Sequence, residues 1–230
     1  MKLEKITSQS PTSRRRYEDA CGTAHGLELI GERWALLVMR ELMLGPKRFS
    51  DLRADLAGIS ANVLTQRLEG LEASGLVVKR RLPPPASVQV YELTPWGYEA
   101  EPIIQTLGRW ATRSPLHDPG LPLSATSLML SFRTMFDAAR AGDLKAAVGF
   151  RLGAETYLVR IEDGRLTAER GDPGEAQVVF TGTPPAVAGV VYGGVPIPAM
   201  EADGALTVEG DRELAQRFTT FFPLPTKVGA

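Results

Sequence analysis

Residues 58–77 read GISANVLTQRLEGLEASGLV, and this stretch decides the fold of the first half of the chain. Gly58 breaks a preceding helix, and Ser60 is a residue type that caps the next helix at its N-terminus. The leucines that follow share one narrow sector of a helical wheel, so we expect them to face a core. These leucines are Leu64, Leu68 and Leu71. The stretch therefore predicts a glycine-containing turn followed by an amphipathic helix.

The opposite face of this helix is polar near its N-terminal end. Asn62, Gln66 and Glu69 point away from the leucines, and Thr65 lies on the flank. Recognition helices contact base edges with amide and hydroxyl groups at this end. Taken alone, the pattern also fits an ordinary helix with a solvated face, so the neighbouring elements must decide between the two interpretations.

Two helices are predicted before this turn. Apolar residues at spacings of three and four over residues 27–42 indicate one amphipathic helix that ends at Gly45 and Pro46. Its stripe consists of Leu27, Ile30, Trp34, Leu37, Val38 and Leu42. Ser50 is expected to cap a second, short helix. Helix, glycine-containing turn and helix is the arrangement that places its second helix against DNA.

A hairpin is predicted after the amphipathic helix. Two β-rich runs, residues 76–82 and 88–93, are joined by a proline-rich tip. The first run carries Lys79, Arg80 and Arg81, and a basic hairpin in this place has the geometry of a wing that lies along a DNA backbone. The hairpin favours the DNA-reading interpretation of the helix before it.

One more helix is predicted in the first half. Thr94 would act as its N-cap, and Pro95 would occupy its first turn. Its apolar residues are Ile103, Ile104, Leu107 and Trp110. A terminal helix with apolar surface left over suggests a dimer interface.

The composition bounds the class of protein. At 230 residues the chain exceeds the usual size of one domain, and 43% hydrophobic with 23% charged residues is typical of a soluble globular protein. The one thiol, Cys21, excludes an intramolecular disulfide. The N-terminus lacks the apolar core of a signal peptide, and no run of about 18 apolar residues could span a bilayer. We therefore predict a cytoplasmic protein without a membrane span.

Charge and composition both divide the chain near residue 120. Residues 1–118 carry 16 Lys and Arg against 14 Asp and Glu, whereas residues 119–230 carry 10 against 13. Residues 114–124 contain three prolines and one glycine, as linkers do. The predicted segments are a basic arm at 1–16, a winged helix-turn-helix domain at 17–113, a linker at 114–124, an α+β domain at 125–224 and a tail at 225–230.

The second half alternates helices and short strands. One helix is predicted over residues 127–142, and a hairpin is turned by Asp163 and Gly164. Another helix begins at Thr183, and a last one is capped by Asp211. This order predicts an antiparallel sheet covered by helices, which is an α+β domain.

The motifs of the first half resemble the HxlR-type winged helix-turn-helix transcriptional regulators over residues 17–113. The match includes Gly31 and Trp34, the FSDLR helix, the ISANVLTQRLEGLEASGL helix and the YELTPWG run in the same order. The resemblance implies a homodimer that binds double-stranded operator DNA. Carried over by position, it implies major-groove contacts by Asn62, Thr65, Gln66 and Arg67 and wing contacts by Lys79, Arg80 and Arg81, and the capping Ser60 joins these candidates.

The second half resembles the sterol carrier protein-like lipid-binding domains over residues 127–222. The stretches VVFTGTPPAVAGVV and MEADGALTVEGDRELAQRF carry this likeness through small apolar and glycine positions. The resemblance implies an apolar cavity under the sheet, although the same side chains could equally fill a core. The candidate lining residues are Phe132, Met135, Phe136, Val190, Tyr192 and Met200.

Cys21 lies where several HxlR-type regulators carry a redox-sensing cysteine, but a small buried residue explains it as well. Glu18 and Asp19 would raise the pKa of the thiol, whereas Arg14–Arg16 and His25 would lower it. The sequence contains no zinc-ligand set, cofactor-binding motif or catalytic constellation. We therefore predict no metal, no cofactor and no enzymatic activity.

Together these patterns predict a dimeric transcriptional repressor whose C-terminal domain binds an apolar small molecule or contributes to assembly. One alternative is a lipid or acyl carrier with an accessory DNA-binding module, which would bind DNA weakly and without sequence preference. A second alternative is a redox sensor that acts through Cys21, with an inert C-terminal half.

Overall fold

The computed structural model describes residues 17–229, so the predicted basic arm at residues 1–16 lies outside the described residues. The N-terminal half is a helical helix-turn-helix region with one hairpin. Its helices are α1 (Gly22–Ile30), α2 (Ala35–Leu42), α3 (Phe49–Asp55), α4 (Ala61–Ala73), α5 (Pro95–Tyr98) and α6 (Glu101–Ala111). Its antiparallel hairpin pairs β1 (Val77–Arg81) with β2 (Gln89–Leu93).

The C-terminal half is an α+β domain with one five-stranded sheet. Its helices are α7 (Ala125–Met135), α8 (Ala138–Ala141), α9 (Pro184–Val191), α10 (Ile197–Ala202) and α11 (Arg212–Thr219). Its strands are β3 (Ala146–Leu152), β4 (Glu155–Glu162), β5 (Arg165–Arg170), β6 (Val178–Gly182) and β7 (Leu206–Gly210). The strand order across the sheet is β5-β4-β3-β6-β7.

The predicted helix after the glycine turn is confirmed as α4. The Ser60 hydroxyl accepts a hydrogen bond from the backbone N–H of Val63 at 3.3 Å, which satisfies one of the N–H groups that a helix start leaves free. Leu64, Leu68 and Leu71 are all buried in the first core. The turn before α4 contains Gly58 at a φ of +88°, a conformation that favours glycine.

The single helix predicted over residues 27–42 is wrong, because the chain forms two helices there. The turn between α1 and α2 places Trp34 at a φ of +79°, which no continuous α-helix contains. Because of this break, the apolar residues of α1 and α2 do not form one continuous face. As a result, Leu27 is 49% exposed and Leu37 is 38% exposed.

Three other helix boundaries also differ from the prediction. The short helix α3 begins at Phe49 with Arg48 as its N-cap, so Ser50 lies inside the helix and is not its cap. Thr94 caps α5 as predicted, by accepting from the N–H of Gly97 at 3.0 Å, but a second helix, α6, starts beside Pro102. The helix predicted over residues 127–142 divides into α7 and α8, because Asp137 caps a new start.

The sheet is mixed, so the predicted antiparallel sheet is wrong in one pairing. β3 pairs with β4 in antiparallel fashion on one side and with β6 in parallel fashion on the other. The connection from β5 to β6 therefore crosses the sheet, and it carries a short 3-10 helix, Pro173–Glu175, over β3. A Cβ at Gly149 would lie 2.4 Å from the Cβ of Pro173, so glycine on β3 gives this crossing its space.

A buried lysine joins the two halves. The side chain of Lys47, between α2 and α3, is 2% exposed and forms ion pairs with Glu41 of α2, Asp55 of α3 and Glu155 of β4. We call these four residues the Lys47 cluster. The Nζ of Lys47 lies 3.2 Å from Glu41 Oε2 and 3.3 Å from Glu155 Oε1. A buried charge is tolerated only when it is paired, so the cluster holds α2, α3 and β4 in fixed relation.

The pKa of Lys47 shows that pairing outweighs burial. Burial lowers this pKa, but the attraction of the carboxylates of Glu41, Asp55 and Glu155 outweighs burial. The pKa of Lys47 therefore lies above its ordinary value. The contribution of the ammonium to stability is therefore present at neutral pH and is lost only as the pH rises through the raised pKa. Burial raises the pKa of the Asp55 carboxyl, and the nearby Lys47 only partly reverses that change.

Helix α7 adds further bonds between the halves. Ser124, its N-cap, donates to Glu41 at 2.7 Å. Arg133 donates to both carboxylate oxygens of Glu101 on α6 at 2.8 Å and to the carbonyl of Ala168 on β5 at 2.6 Å. Helix α7 also places one leucine in the first core and several side chains in the second, so it packs against both domains.

The crossing over β3 gives a test of the mixed sheet. Replacing Gly149 by Ala should lower the free energy of unfolding by about 1–3 kcal/mol, because the added methyl group meets Pro173. Replacing Gly171 by Ala, where a Cβ meets nothing within 4 Å, should change it by no more than about 0.5 kcal/mol. Urea denaturation measures both variants, and equal stability of the two would contradict the close crossing.

Candidate nucleic-acid interface

The start of α4 presents the polar surface that a base-reading helix needs. Asn62, Thr65 and Gln66 are exposed within its first two turns, and none of them shares the buried leucine face. Ser60 is exposed as well, and its hydroxyl oxygen already accepts the capping bond from Val63. The structure therefore brings four of the candidate DNA-binding residues to one end of one helix.

Arg67 lies apart from this surface. Its side chain is 19% exposed, and its Nη1 forms an ion pair with Glu32 Oε2 at 3.1 Å. Its Nε is buried and has no hydrogen-bond partner among the described residues. This geometry holds α4 against the turn between α1 and α2, which is a packing role, and a base contact by Arg67 stays a prediction.

The hairpin places three cations next to each other on an exposed strand, and each has a neighbour that orders it. The Lys79 ammonium lies 5.5 Å from the ring centre of Tyr91, within cation–π range. Arg80 Nε lies 2.9 Å from Glu92 Oε2. Arg81 Nε donates to the carbonyl of Ser87 across the tip at 3.2 Å.

These contacts are weak enough to leave the charges available. The ion pair of Arg80 is solvent-exposed on the arginine side, and exposed pairs contribute about 0–1 kcal/mol. The hairpin therefore holds partly ordered cations on both faces of β1, with Lys79 and Arg81 on one face and Arg80 on the other, and such cations suit contact with phosphate oxygens.

An isolated β-bridge between Lys47 and Tyr91, which the sequence did not predict, ties the hairpin to the helices. The N–H of Lys47 donates to the carbonyl of Tyr91 at 3.0 Å, and the N–H of Tyr91 donates to the carbonyl of Lys47 at 2.8 Å. Gly45 and Pro46 predict a helix stop, and no pattern in the sequence indicates the bridge at the next residue, Lys47. Arg48, exposed at the start of α3, is a further cation near this segment.

The apolar face predicted on the terminal helix is present on α6. Ile103 is 53% exposed, Leu107 is 45% exposed and Trp110 is 70% exposed, whereas Ile104 packs against the first core. A groove of about 500 Å³ continues this face toward the C-terminal tail. Its lining residues are Thr106, Arg109, Trp110, Arg113, Pro225 and Thr226.

Cys21 lies at the surface, and its environment favours the thiolate. The residue is exposed and directly precedes α1 as its N-cap position. Hydrogen bonds from the backbone and side chain of Thr23 and from the backbone of Ala24 lower the pKa of the thiol. The buried position that the sequence left open is therefore excluded.

The six residues expected to line an apolar pocket lie together in the second core. They are Phe132, Met135, Phe136, Val190, Tyr192 and Met200. The ring centre of Phe132 lies 4.7 Å from that of Phe222 and 5.5 Å from that of Phe150. The Tyr192 hydroxyl is hydrogen-bonded to the Ser131 hydroxyl at 2.6 Å. These side chains pack against other core residues, so the ligand pocket stays a prediction.

Within residues 17–229, no three or more His, Cys, Asp and Glu side chains are grouped so that they could hold a metal ion. Within the same residues, no helix combines the length and the hydropathy that crossing a membrane requires.

Helix α4 exposes a polar face and is followed by a basic hairpin, and this arrangement defines a winged helix-turn-helix protein. Comparisons with known proteins agree. The family model described as HxlR-like helix-turn-helix matches residues 29–117. YvaP of Bacillus subtilis, an uncharacterized HTH-type transcriptional regulator, is 38% identical over 87 residues, which is 37% of this chain and 80% of YvaP. The chain belongs to the HxlR-like helix-turn-helix family of transcriptional regulators.

Solved structures give likenesses to each half. The reduced form of the transcriptional regulator YodB from B. subtilis is 31% identical, with a TM-score of 0.38, over 44% of this chain and 98% of YodB. Residues 122–227 match the family model of the alkyl sulfatase C-terminal domain. The sec-alkylsulfatase Pisa1 from Pseudomonas sp. is 15% identical, with a TM-score of 0.39, over 42% of this chain. The match spans only 16% of that alkylsulfatase.

Proposed function

We propose that this chain is a dimeric transcriptional repressor that reads operator DNA with the N-terminal end of α4. The observation that carries the proposal is the exposure of Asn62, Thr65 and Gln66 at the start of α4 together with the exposed cations of β1. The amide of Gln66 can pair with adenine in the major groove, since its donor and acceptor match the N6 and N7 groups of that base. The proposal includes no cofactor and no enzymatic activity, and it places the protein in the cytoplasm.

The hairpin supplies the affinity that is independent of sequence. Lys79, Arg80 and Arg81 are exposed in consecutive positions, and each phosphate that such a side chain neutralises releases bound counterions. Tyr91 and Ser87 already order two of these side chains, so less conformational entropy is lost on binding. Repression follows from occupancy alone, because a protein on an operator excludes other proteins from the same DNA.

The exposed face of α6 supports the dimer. Three large apolar side chains on one helix in water form a patch of the kind that marks protein–protein contacts. A two-fold dimer would pair this face with itself and would place two α4 helices on successive turns of one DNA face.

The C-terminal domain supports two roles in this proposal. One role is binding of an apolar effector, as the sterol carrier protein-like resemblance implies, beneath the sheet around Phe132 and Val190. The other role is assembly and support of the DNA-binding half. The bonds of the Lys47 cluster and of Arg133 favour the second role, since they join the halves directly.

A second candidate function is redox sensing by Cys21. The observation that favours it is an exposed thiol whose pKa is lowered by helix-start hydrogen bonds, because the thiolate is the form that oxidants attack. In this proposal oxidation of Cys21 would lower the affinity for DNA.

The DNA-binding proposal makes a prediction about two variants with different effects. The parent protein should select, from fragments of its own genome, a pseudo-palindrome with half-sites about 10–10.5 bp apart. Gln66→Ala should cost about 1–3 kcal/mol of discrimination at one base position. Arg80→Ala should weaken all sequences alike and reduce the salt slope of binding by about 1. Equal loss on every sequence for both variants would refute the assignment, and weak binding without preference would favour the carrier alternative.

The dimer proposal makes a prediction about the same substitution at two exposed leucines. Leu107→Glu should weaken dimerisation on the order of 100-fold, because it places an unpaired carboxylate in an apolar interface at a cost of about 3 kcal/mol. Leu116→Glu, at a 91% exposed leucine outside α6, is the matched control and should stay dimeric. Sedimentation over a range of concentrations measures both, and a monomeric parent protein would disprove the interface.

The redox proposal makes a prediction about Cys21→Ser. Under reducing conditions this variant should bind operator DNA as tightly as the parent, because the thiol contributes no DNA contact. Peroxide should lower binding by the parent and leave the variant unaffected. If peroxide changes both proteins equally, or neither, Cys21 is not a sensor.

A further inference from the structure

The chain segment between α2 and α3 belongs to the N-terminal half, yet the C-terminal domain holds it at two points. Arg170 of β5 donates from Nη1 to the carbonyl of Pro46 at 3.2 Å. Glu155 of β4 lies 3.3 Å from the Nζ of Lys47. The two residues also bind each other, with Arg170 Nη2 donating to Glu155 Oε1 at 3.0 Å. The bonded pair of Glu155 and Arg170 in the C-terminal sheet therefore binds two consecutive residues of the N-terminal half, Pro46 and Lys47.

Pro46 and Lys47 lie where the hairpin meets α3, the helix that leads into α4. The backbone of Lys47 exchanges two hydrogen bonds with Tyr91 on β2, which orients the hairpin. Its side chain binds Asp55 at the last residue of α3, five residues before Ser60, the cap of α4. A shift of this segment would therefore change the hairpin and the recognition helix relative to each other.

Three acidic and three basic side chains form the ion pairs around this segment. The negative groups are Glu41, Asp55 and Glu155, and the positive groups are Lys47, Arg40 and Arg170. Since Lys47 and Glu41 are almost wholly buried, water cannot replace a lost partner without exposing them. Removal of the Glu155 charge leaves Lys47 one partner short on the side of the C-terminal domain.

We propose that Glu155 and Arg170 are positioning residues for DNA binding, and that a change in the C-terminal domain reaches the DNA interface through Lys47. This inference rests on the proposed DNA-binding function and names the route of its regulation. A ligand or an assembly contact acts on DNA affinity only if it favours one of two arrangements of this segment. The contacts of Arg170 with Pro46 and of Glu155 with Lys47 transmit such a preference to the DNA interface.

The test compares two substitutions that remove the same charge from the same sheet. Glu155→Gln removes the carboxylate that faces Lys47, and Glu169→Gln removes an exposed carboxylate on β5. Each change makes the full chain less negative, which by simple electrostatics should strengthen DNA binding slightly. The positioning role predicts the opposite sign for Glu155→Gln, a loss of about 3- to 10-fold in affinity with an unchanged salt slope.

Hydrogen exchange gives a second measurement that does not require DNA. The amide protons of Lys47 and Tyr91, which form the two bonds between the segment and β2, should exchange faster in Glu155→Gln than in the parent. They should be unchanged in Glu169→Gln. Arg170→Lys keeps the charge but loses the forked geometry that reaches both Pro46 and Glu155, so it should behave as Glu155→Gln does.

The outcomes separate this inference from the proposed function. Lower affinity together with faster exchange at the two amides supports the route. Parent-like affinity of the folded Glu155→Gln protein, even with a lower melting temperature, overturns it, and so does lower affinity without faster exchange. If the parent binds no operator DNA, the proposed function fails, and exchange at Lys47 and Tyr91 alone still decides whether the C-terminal domain positions the segment.

Discussion

The structure depends on one buried ammonium group. Lys47 is almost inaccessible to water, and an unpaired charge in such a place would cost several kcal/mol. The chain satisfies it with carboxylates from three elements, so that α2, α3 and β4 can pack only in the arrangement that brings Glu41, Asp55 and Glu155 together. Apolar packing would tolerate small shifts between these elements, whereas hydrogen-bonded charges tolerate few. The cluster thereby contributes specificity of arrangement more than net stability.

The same constraint explains why the two halves meet through polar groups as well as apolar ones. Ser124 caps α7 and also donates to Glu41, so the first turn of the second domain is bonded to a buried carboxylate of the first. Arg133, farther along α7, connects Glu101 on α6 to the backbone of β5. Between these two residues α7 contributes to both cores. The DNA-binding half therefore rests on a helix that belongs to the other domain.

Local signals in the sequence predicted local structure well, and contacts between distant residues explain where they failed. The caps at Ser60, Thr94 and Asp211 and the helix start at Thr183 are confirmed, because each depends on a side chain and an N–H three residues apart. The break at Trp34 and the parallel pairing of β6 with β3 depend on tertiary packing, which periodicity does not report. Exposure of Asn62 and Gln66 followed from the helical wheel, whereas Lys47 and Glu155 are 108 positions apart, so the sequence shows no pattern that would reveal their ion pair.

The aromatic interior of the C-terminal domain restricts how an apolar effector could act. Phe132 on α7 packs against Phe150, Phe218 and Phe222, with ring centres 4.7–5.5 Å apart. A ligand that entered this core would have to displace rings, because protein interiors are close-packed. Displacement of Phe132 would move α7, and the N-cap of α7, Ser124, donates a hydrogen bond to Glu41 of the Lys47 cluster. Entry of an effector and movement of the DNA interface would then be one event, since the same helix fills the core and supports the buried lysine.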